Sequence, residues 1–248
     1  GLATRWAPTA ATQIEFLGSW LKDSPITPAG VPYGLVGKVD DDDLRSFYAG
    51  DPSDDDSERE MLNLGFSAHQ EINADWSVDA NFRYQKFDWD YTGFYVNSVD
   101  ADRDTISRGA NDTSEDSYTQ NIDLRLNGHF DTGAVAHRVV VGVDARRYGV
   151  ESETGFRYAD PISFSDPSYD GANLSDAWYV SADDLTLEQI GLYAQDEMSF
   201  GNWRASLALR HDWTSQTGST FTNFAGTSPV DQEDEATTGR AGISYVFD

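Results

Sequence analysis

The sequence predicts an all-β protein whose antiparallel strands cross a lipid bilayer as part of a β-barrel. Three observations predict it. Segments alternate apolar and polar residues with period two, short and long connections alternate between those segments, and aromatic side chains collect at the segment ends. Period two is the spacing of a strand, whose successive side chains point to opposite faces, and not of a helix.

Taken in order, a short stretch before Ala7 reads as a stub, and 12–22 and 58–71 are weak copies of the alternating pattern. The third segment is unambiguous. In Trp76 to Gln85 every even position is apolar or aromatic and every odd position is polar. The fourth places Asn121, Asp123, Arg125, Asn127 and His129 on one face and Ile122, Leu124, Leu126 and Phe130 on the other. Weaker copies follow at 136–150 and 185–200. Trp203 to Trp213 sets Trp203, Ala205, Leu207 and Leu209 opposite Arg204, Ser206, Arg210 and Asp212, and 236–247 closes the series. The expectation is therefore about eight full strands.

A face carrying Asp123 with Arg125, or Arg204 with Arg210 and Asp212, does not make a dry sandwich core, because an unpaired buried charge costs several kcal/mol. One face is wet and the other continuously apolar, as in a barrel with lipid outside and a polar lumen inside. The connections near 7–11, 72–75, 130–135 and 201–202 are tight. Those at about 23–57, 88–115, 151–184 and 214–235 are long, which fits short turns on one side of a membrane and long loops on the other. Each segment has the roughly ten residues that a tilted strand needs to cross hydrocarbon. Trp6, Trp20, Trp76, Phe130, Phe200, Trp203 and Trp213 near segment ends suit interfacial girdles.

Composition narrows function. Lys+Arg number 17 against 43 Asp+Glu, a net charge of −26, and such a surplus of acid repels nucleic acid. Absence of cysteine excludes disulfides and thiolate metal sites. No apolar run is long enough for a membrane helix, which does not bear on barrels, and the first residues do not read as a signal peptide.

Gly191-Leu192-Tyr193-Ala194-Gln195-Asp196-Glu197-Met198, then Asn202-Trp203 and Leu209-Arg210-His211-Asp212-Trp213, resemble barrel strands of TonB-dependent siderophore receptors. Gly30 to Gly34, Phe47 to Pro52, Gly65 to His69, Asn81 to Tyr84 and Gly239 to Phe247 look similar in the same order. The resemblance implies a barrel of about twenty-two strands in the cell outer membrane, with a plug inside. It also implies import of ferric siderophores driven through the TonB complex, with the chelate as transported ligand and no resident cofactor. Relative to that pattern no plug, TonB-contacting box or signal peptide is recognised, so 1–248 is expected to be a middle portion of the barrel with the plug domain absent.

No enzyme constellation appears: His69, His129, His137 and His211 lack H-x-x-x-H spacing, and no G-x-S-x-G elbow is present. Asp40–Asp43 and Asp54–Asp56 lack EF-hand order and read as solvated loops, with divalent cations bridging lipopolysaccharide phosphates as the alternative. A bulky iron chelate calls for aromatic surfaces above the membrane. The candidate ligand-binding residues are Trp89, Tyr91, Phe94 and Tyr95, then Tyr33, Phe47 and Tyr48, with Trp178 and Tyr179 as further choices; no metal ligands are assigned. Two rival readings remain open. One is a soluble acidic β-sandwich that binds carbohydrate or calcium. The other is a small eight-stranded barrel of structural role, which requires residues 12–20 to pair with 241–247.

Overall fold

The computed structural model describes residues 1–247. They form one antiparallel sheet of nine strands, each hydrogen-bonded to its neighbours in sequence. The strands are β1 (Leu2–Thr9), β2 (Thr12–Asp23), β3 (Asp56–Glu71), β4 (Trp76–Val99), β5 (Thr105–Thr132), β6 (Val135–Ser163), β7 (Tyr179–Phe200), β8 (Trp203–Thr222) and β9 (Gly226–Tyr245). One helical turn and a short helix, α1 (Asp41–Ser46), interrupt the segment between β2 and β3. Among the described residues no helix is long and apolar enough to cross a membrane, which says nothing of crossing by strands.

The strand count departs from the sequence reading. The stretch before Ala7 is a full strand, pairing Leu2 with Gly18 and Trp6 with Ile14. At eight residues it is too short to establish a period by itself, and only its partner fixes its register. A second departure concerns the long connections. Those at 88–115 and 214–235 are mostly not irregular loops: β4 and β5 run on to leave only Asp100–Asp104, and β8 and β9 leave only Asn223–Ala225. The other two are shorter than expected but stay irregular, at residues 24–55 and 164–178.

Register settles which side chains share a face, because residues paired across strands stand side by side. Leu64, Phe82, Ile122 and Ala145 belong to one apolar set through the pairs Leu64↔Tyr84, Phe66↔Phe82, Phe82↔Ile122 and Ile122↔Ala145. The set continues through Val143↔Leu192, Leu192↔His211 and Leu207↔Ala241. Among the described residues no other segment covers this face within the apolar band: Leu124 is 46% exposed and Leu207 54%. The soluble sandwich is thereby excluded, since a sandwich buries such residues beneath a second sheet. The small closed barrel fails too, because among the described residues β2 pairs only with β1 and β3, and β9 only with β8.

Aromatics edge the apolar band. Trp76 stacks on Phe130 with centroids 6.4 Å apart, and Trp203 meets Tyr245 edge-on at 5.0 Å, both beside the tight turns. Trp20 and Trp213 stand at the opposite margin, next to charged residues of that face that include the ion pairs Lys22–Glu58 and Lys86–Asp116 at 3.0 Å each. The tight turns have local causes. Asn73 Oδ1 accepts hydrogen bonds from the amides of Asp75 and Trp76, and Gly133 and Gly201 take positive φ values of 65° and 54°, which suits glycine.

The opposite face carries a ladder of ion pairs. Arg210 bonds Asp144 (2.5 and 2.9 Å) and Asp212 (2.5 and 2.8 Å), while Tyr193 donates to Asp123 at 2.6 Å. Below them Asp79 receives His69 at 2.8 Å and Asn127 at 2.6 Å. Of the remaining histidines His129, beside Asp75, is on this face, while His137 beside Asp196 and His211 beside Glu235 stand on the apolar one.

This two-faced sheet has a measurable consequence in lipid. Leu124→Arg puts a cation in mid-band and is expected to destabilise the folded protein in bilayers by about 2–4 kcal/mol, whereas Gln195→Arg on the polar face changes stability by less than about 0.5 kcal/mol. Equal effects in denaturant titrations of the two variants in vesicles would contradict the assignment of faces.

Candidate functional site

Above the apolar band, the polar face of β3–β8 changes from an ionic ladder to a series of aromatic rungs. The first rung runs straight across the sheet: Asp23, Arg59, Trp89, Glu115, Ser152 and Asp183 are successive cross-strand partners. The next holds Ser57, Tyr91, Thr113, Thr154 and Ser181. Then come Gly93, Asn111, Phe156 and Tyr179, followed by Tyr95, Gly109 and Tyr158.

On β4 the alternation puts Phe87, Trp89 and Tyr91 in one column, with centroids 6.5 and 5.3 Å apart. Trp89 Nε1 donates to Ser57 Oγ at 3.3 Å, which fixes the indole. A second aromatic group spans β4, β6 and β7. Phe156 meets Tyr95 at 6.1 Å and Trp178 at 6.2 Å, Trp178 stacks on Tyr158 at 6.0 Å, and Tyr179 reaches Phe224 at 5.9 Å. The glycines between them are part of the design. A Cβ at Gly109 would lie 2.6 Å from the Tyr95 ring, and the Tyr91 ring lies across Gly93, so both rings flatten against bare backbone.

The sequence-derived candidates thus divide. Trp89, Tyr91, Tyr95 and Tyr179 come together on the polar face, with Trp178, 43% exposed, at its upper edge. Phe94 does not join them. As an even-numbered β4 residue it points to the other face, is 3% exposed and lies under the Arg108 guanidinium at 4.8 Å. Phe47 packs on Phe164 at 5.2 Å within the loop core, and Tyr48 is half-buried against Tyr169. Tyr33 stands apart, 88% exposed. Phe156, Tyr158 and Phe224 were missed in sequence. Phe156 and Tyr158 alternate with Arg157 and Ala159, a period-two signal that a stretch read as loop conceals.

The opposite side of these upper strands is where the irregular segments dock. Leu35, Leu44, Ile106 and Ile162 form a small buried core with Phe47, Val96 and Phe164. Arg108, 4% exposed, ties it together: Nη1 donates to the carbonyls of Ala49 (3.1 Å) and Gly50 (2.9 Å), and Nε to that of Asp160 (2.7 Å). The acidic runs take part in the same packing. Asp40 caps α1 through the amides of Asp42 and Asp43, Asp51 is fully buried and receives Gly171 N at 3.1 Å, and Asp54 receives Ala172 N at 2.6 Å. Asp55 takes the Tyr48 hydroxyl; burial pushes the Asp55 carboxyl above the usual range and raises Tyr48 as well.

A sheet with one lipid-like and one ionic face, crossed by short turns on one side and tall ribbons on the other, is a barrel wall. The family model for the TonB dependent receptor-like beta-barrel matches residues 5–248. The chain belongs to the TonB-dependent receptor family. In this family the strands stand in the outer membrane, so the apolar face meets lipid, the ionic ladder looks into the lumen, and the aromatic rungs line the external mouth. The Ferrioxamine B receptor of Salmonella typhimurium is 27% identical over 254 residues, covering 98% of this chain and 34% of the relative. The Ferrioxamine receptor of Yersinia enterocolitica is 24% identical, over 98% of this chain and 35% of that protein. The chain thus spans about a third of the length of these relatives. Among solved structures, the siderophore receptor PiuA from Acinetobacter baumannii superposes with a TM-score of 0.78 at 18% identity, covering 98% of this chain and 39% of that one. The ferric-catecholate import receptor Fiu from K12 E. coli gives 0.71 at 15%, covering 99% and 40%. These last two show the shared TonB-dependent receptor barrel fold.

The mouth of this receptor barrel is expected to respond to acid in two opposite ways. Asp102 and Asp104 are held below the usual carboxylate range. Asp102 is lowered by the amides of Asp104 and Thr105 (3.0 Å each), and Asp104 first by the Ser163 hydroxyl (2.8 Å) and then by the amide of Ser165 (2.7 Å). A lowered carboxyl stabilises above its unfolded value and ceases to do so as pH falls through its folded one. The β4–β5 tip therefore loosens on acidification. Asp55, raised by burial, works the other way and favours docking of residues 24–55 at low pH. Exchange protection factors at Thr105 and Asp55, followed from neutral pH into the carboxylate range, are expected to move in opposite directions; parallel changes would disprove the reading. Separately, Arg108→Met leaves carbonyls unpaired at about 1–3 kcal/mol each and is expected to expose 24–55 to protease while the ladder of β4–β5 stays protected.

Proposed function

We propose that the intact receptor of which this chain is a barrel portion, residues 1–248 without the plug, imports ferric siderophores across the outer membrane. The aromatic rungs capture the chelate, and the ionic lumen below them conducts it inward. One observation carries the reading: Trp89, Tyr91, Tyr95, Phe156, Tyr158 and Tyr179 share the face that continues down into the charged wall. A bulky, partly apolar chelate binds by stacking and by hydrogen bonds to tyrosine and indole edges, which these residues offer together. The names of the relatives, receptors for ferrioxamine and for ferrichrome, support iron chelates as the cargo class. They are receptors and transporters, and we assign no catalysis to this chain. Membership of the family supports the TonB complex as the energising partner. We infer that lipopolysaccharide surrounds the outer margin of the band, beside Lys22 and Lys86.

Phe47, Tyr48 and Phe94 support the mouth from behind, and Tyr33 offers an outlying contact. Trp89→Ala and Tyr91→Ala in the complete receptor are each expected to weaken ferric-siderophore binding by about 1–3 kcal/mol, with Tyr158→Ala in the same range. Titration of intrinsic fluorescence with the chelate measures it. Unchanged affinity in all three variants would remove these rungs from the site.

A further inference from the structure

The charge of the chain is distributed very unevenly with height. The segments above the apolar band, residues 22–60, 86–119, 147–189 and 214–236, hold 32 of the 43 Asp+Glu but only nine of the 17 Lys+Arg, so they carry −23 of the net −26. The membrane-crossing remainder is close to balanced, with eleven acids and eight bases. That remainder includes the ladder in which Arg210 and Arg125 neutralise Asp144, Asp212, Asp123 and Asp79.

The same asymmetry holds on the cargo-facing side itself. On the upper polar face the carboxylates are Asp23, Glu115, Asp183 and Asp234, and Arg59 is the one cation among the described residues there. Arg59 is already spent on Asp23 in a two-bonded pair (3.0 and 2.7 Å). Glu115 stands directly beside Trp89 and, across Ser152, in line with Asp183. Among the described residues neither has Lys, Arg or His within ion-pair distance, and Glu115 takes only the Ser117 hydroxyl at 2.7 Å. The nearest bases lower on that face are Arg83 and Arg146, which flank Asn121 three same-face positions below Trp89 and Ser152. Aromatic faces flanked by unneutralised carboxylates are the combination that recognises organic cations.

Resting on the siderophore reading, we propose that this mouth selects iron chelates by charge, taking those with a neutral iron core and a protonated amine and turning away polyanionic ones. Three hydroxamates balance ferric iron, so a linear trihydroxamate with a free amine is a cation. Three catecholates leave a trianion, which meets the field of the external carboxylates throughout its approach. A single-signed mouth alters encounter rates by tenfold or more at low salt, and the effect fades as the Debye length contracts.

The test uses the complete receptor in detergent and three ferric chelates: a linear trihydroxamate bearing a terminal ammonium, the same compound N-acetylated, and a tris-catecholate. At low ionic strength the expected order of affinity is cation, then neutral, then trianion. Roughly tenfold or more is expected between the extremes, narrowing severalfold in high salt. Glu115→Gln with Asp183→Asn is expected to reduce severalfold the preference for the cation over its acetylated form. A trianion that binds as well as the cation, or a preference indifferent both to salt and to the double substitution, overturns charge selection while leaving siderophore import intact. Failure of all three chelates to bind a receptor shown to be folded overturns the import reading as well.

Discussion

Everything in this chain depends on the hydrogen-bonding demand of peptide groups that sit in hydrocarbon. No water reaches them there, so each strand has to give its amides and carbonyls to a neighbour. The nine strands meet that demand with nearly uninterrupted pairing between each strand and the next. Once the backbone is committed in this way, side chains have only two directions left. The apolar set from Phe16 to Ile243 goes to lipid, and the Asp–Arg ladder goes to the lumen.

The ladder then does something that the bilayer no longer requires. β4, β5 and β6 continue past the charged margin at Lys86 and Arg147 as ribbons, ending near Val99, Thr105 and Ser163. Water is available to their backbones there, and pairing persists because each strand is a template for the next. The two faces stay separate in use. One takes the irregular segments 24–55 and 164–178, clamped around Arg108, and the other stays open and aromatic. A buried guanidinium that serves three carbonyls lets loops rich in aspartate fold against a sheet without a large apolar core.

What could be read from sequence follows this division. In Trp76–Gln85 and Asn121–Phe130 the solvent differs between the two sides, and alternation is clean. Above the band both sides meet water or protein, and Thr214-Ser215-Gln216-Thr217-Gly218-Ser219-Thr220 shows no contrast at all, although it is strand. Loops were therefore expected where ribbons stand. For the same reason Phe94 was grouped with Trp89 and Tyr91 as one run of aromatics, when parity puts it on the far side. Phe156 and Tyr158 went unnoticed because nothing local marks their partners, Asn111 and Gly109, which lie about fifty residues away on β5. The register itself, which assembles the rungs, is a property of long-range pairing and has no local signature.

Parity also constrains how such a mouth can diversify. Inserting one residue in β4 between Gln85 and Lys86 would rotate Phe87, Trp89 and Tyr91 outward and bring Lys86, Asp88 and Asp90 round to the passage. Inserting two would merely lift the same column by one step. Lineages that remodel the ribbons are thus steered toward length changes in even increments, with odd ones surviving where a bulge, like those at Val96/Ser98 and Ile106/Arg108, absorbs the phase.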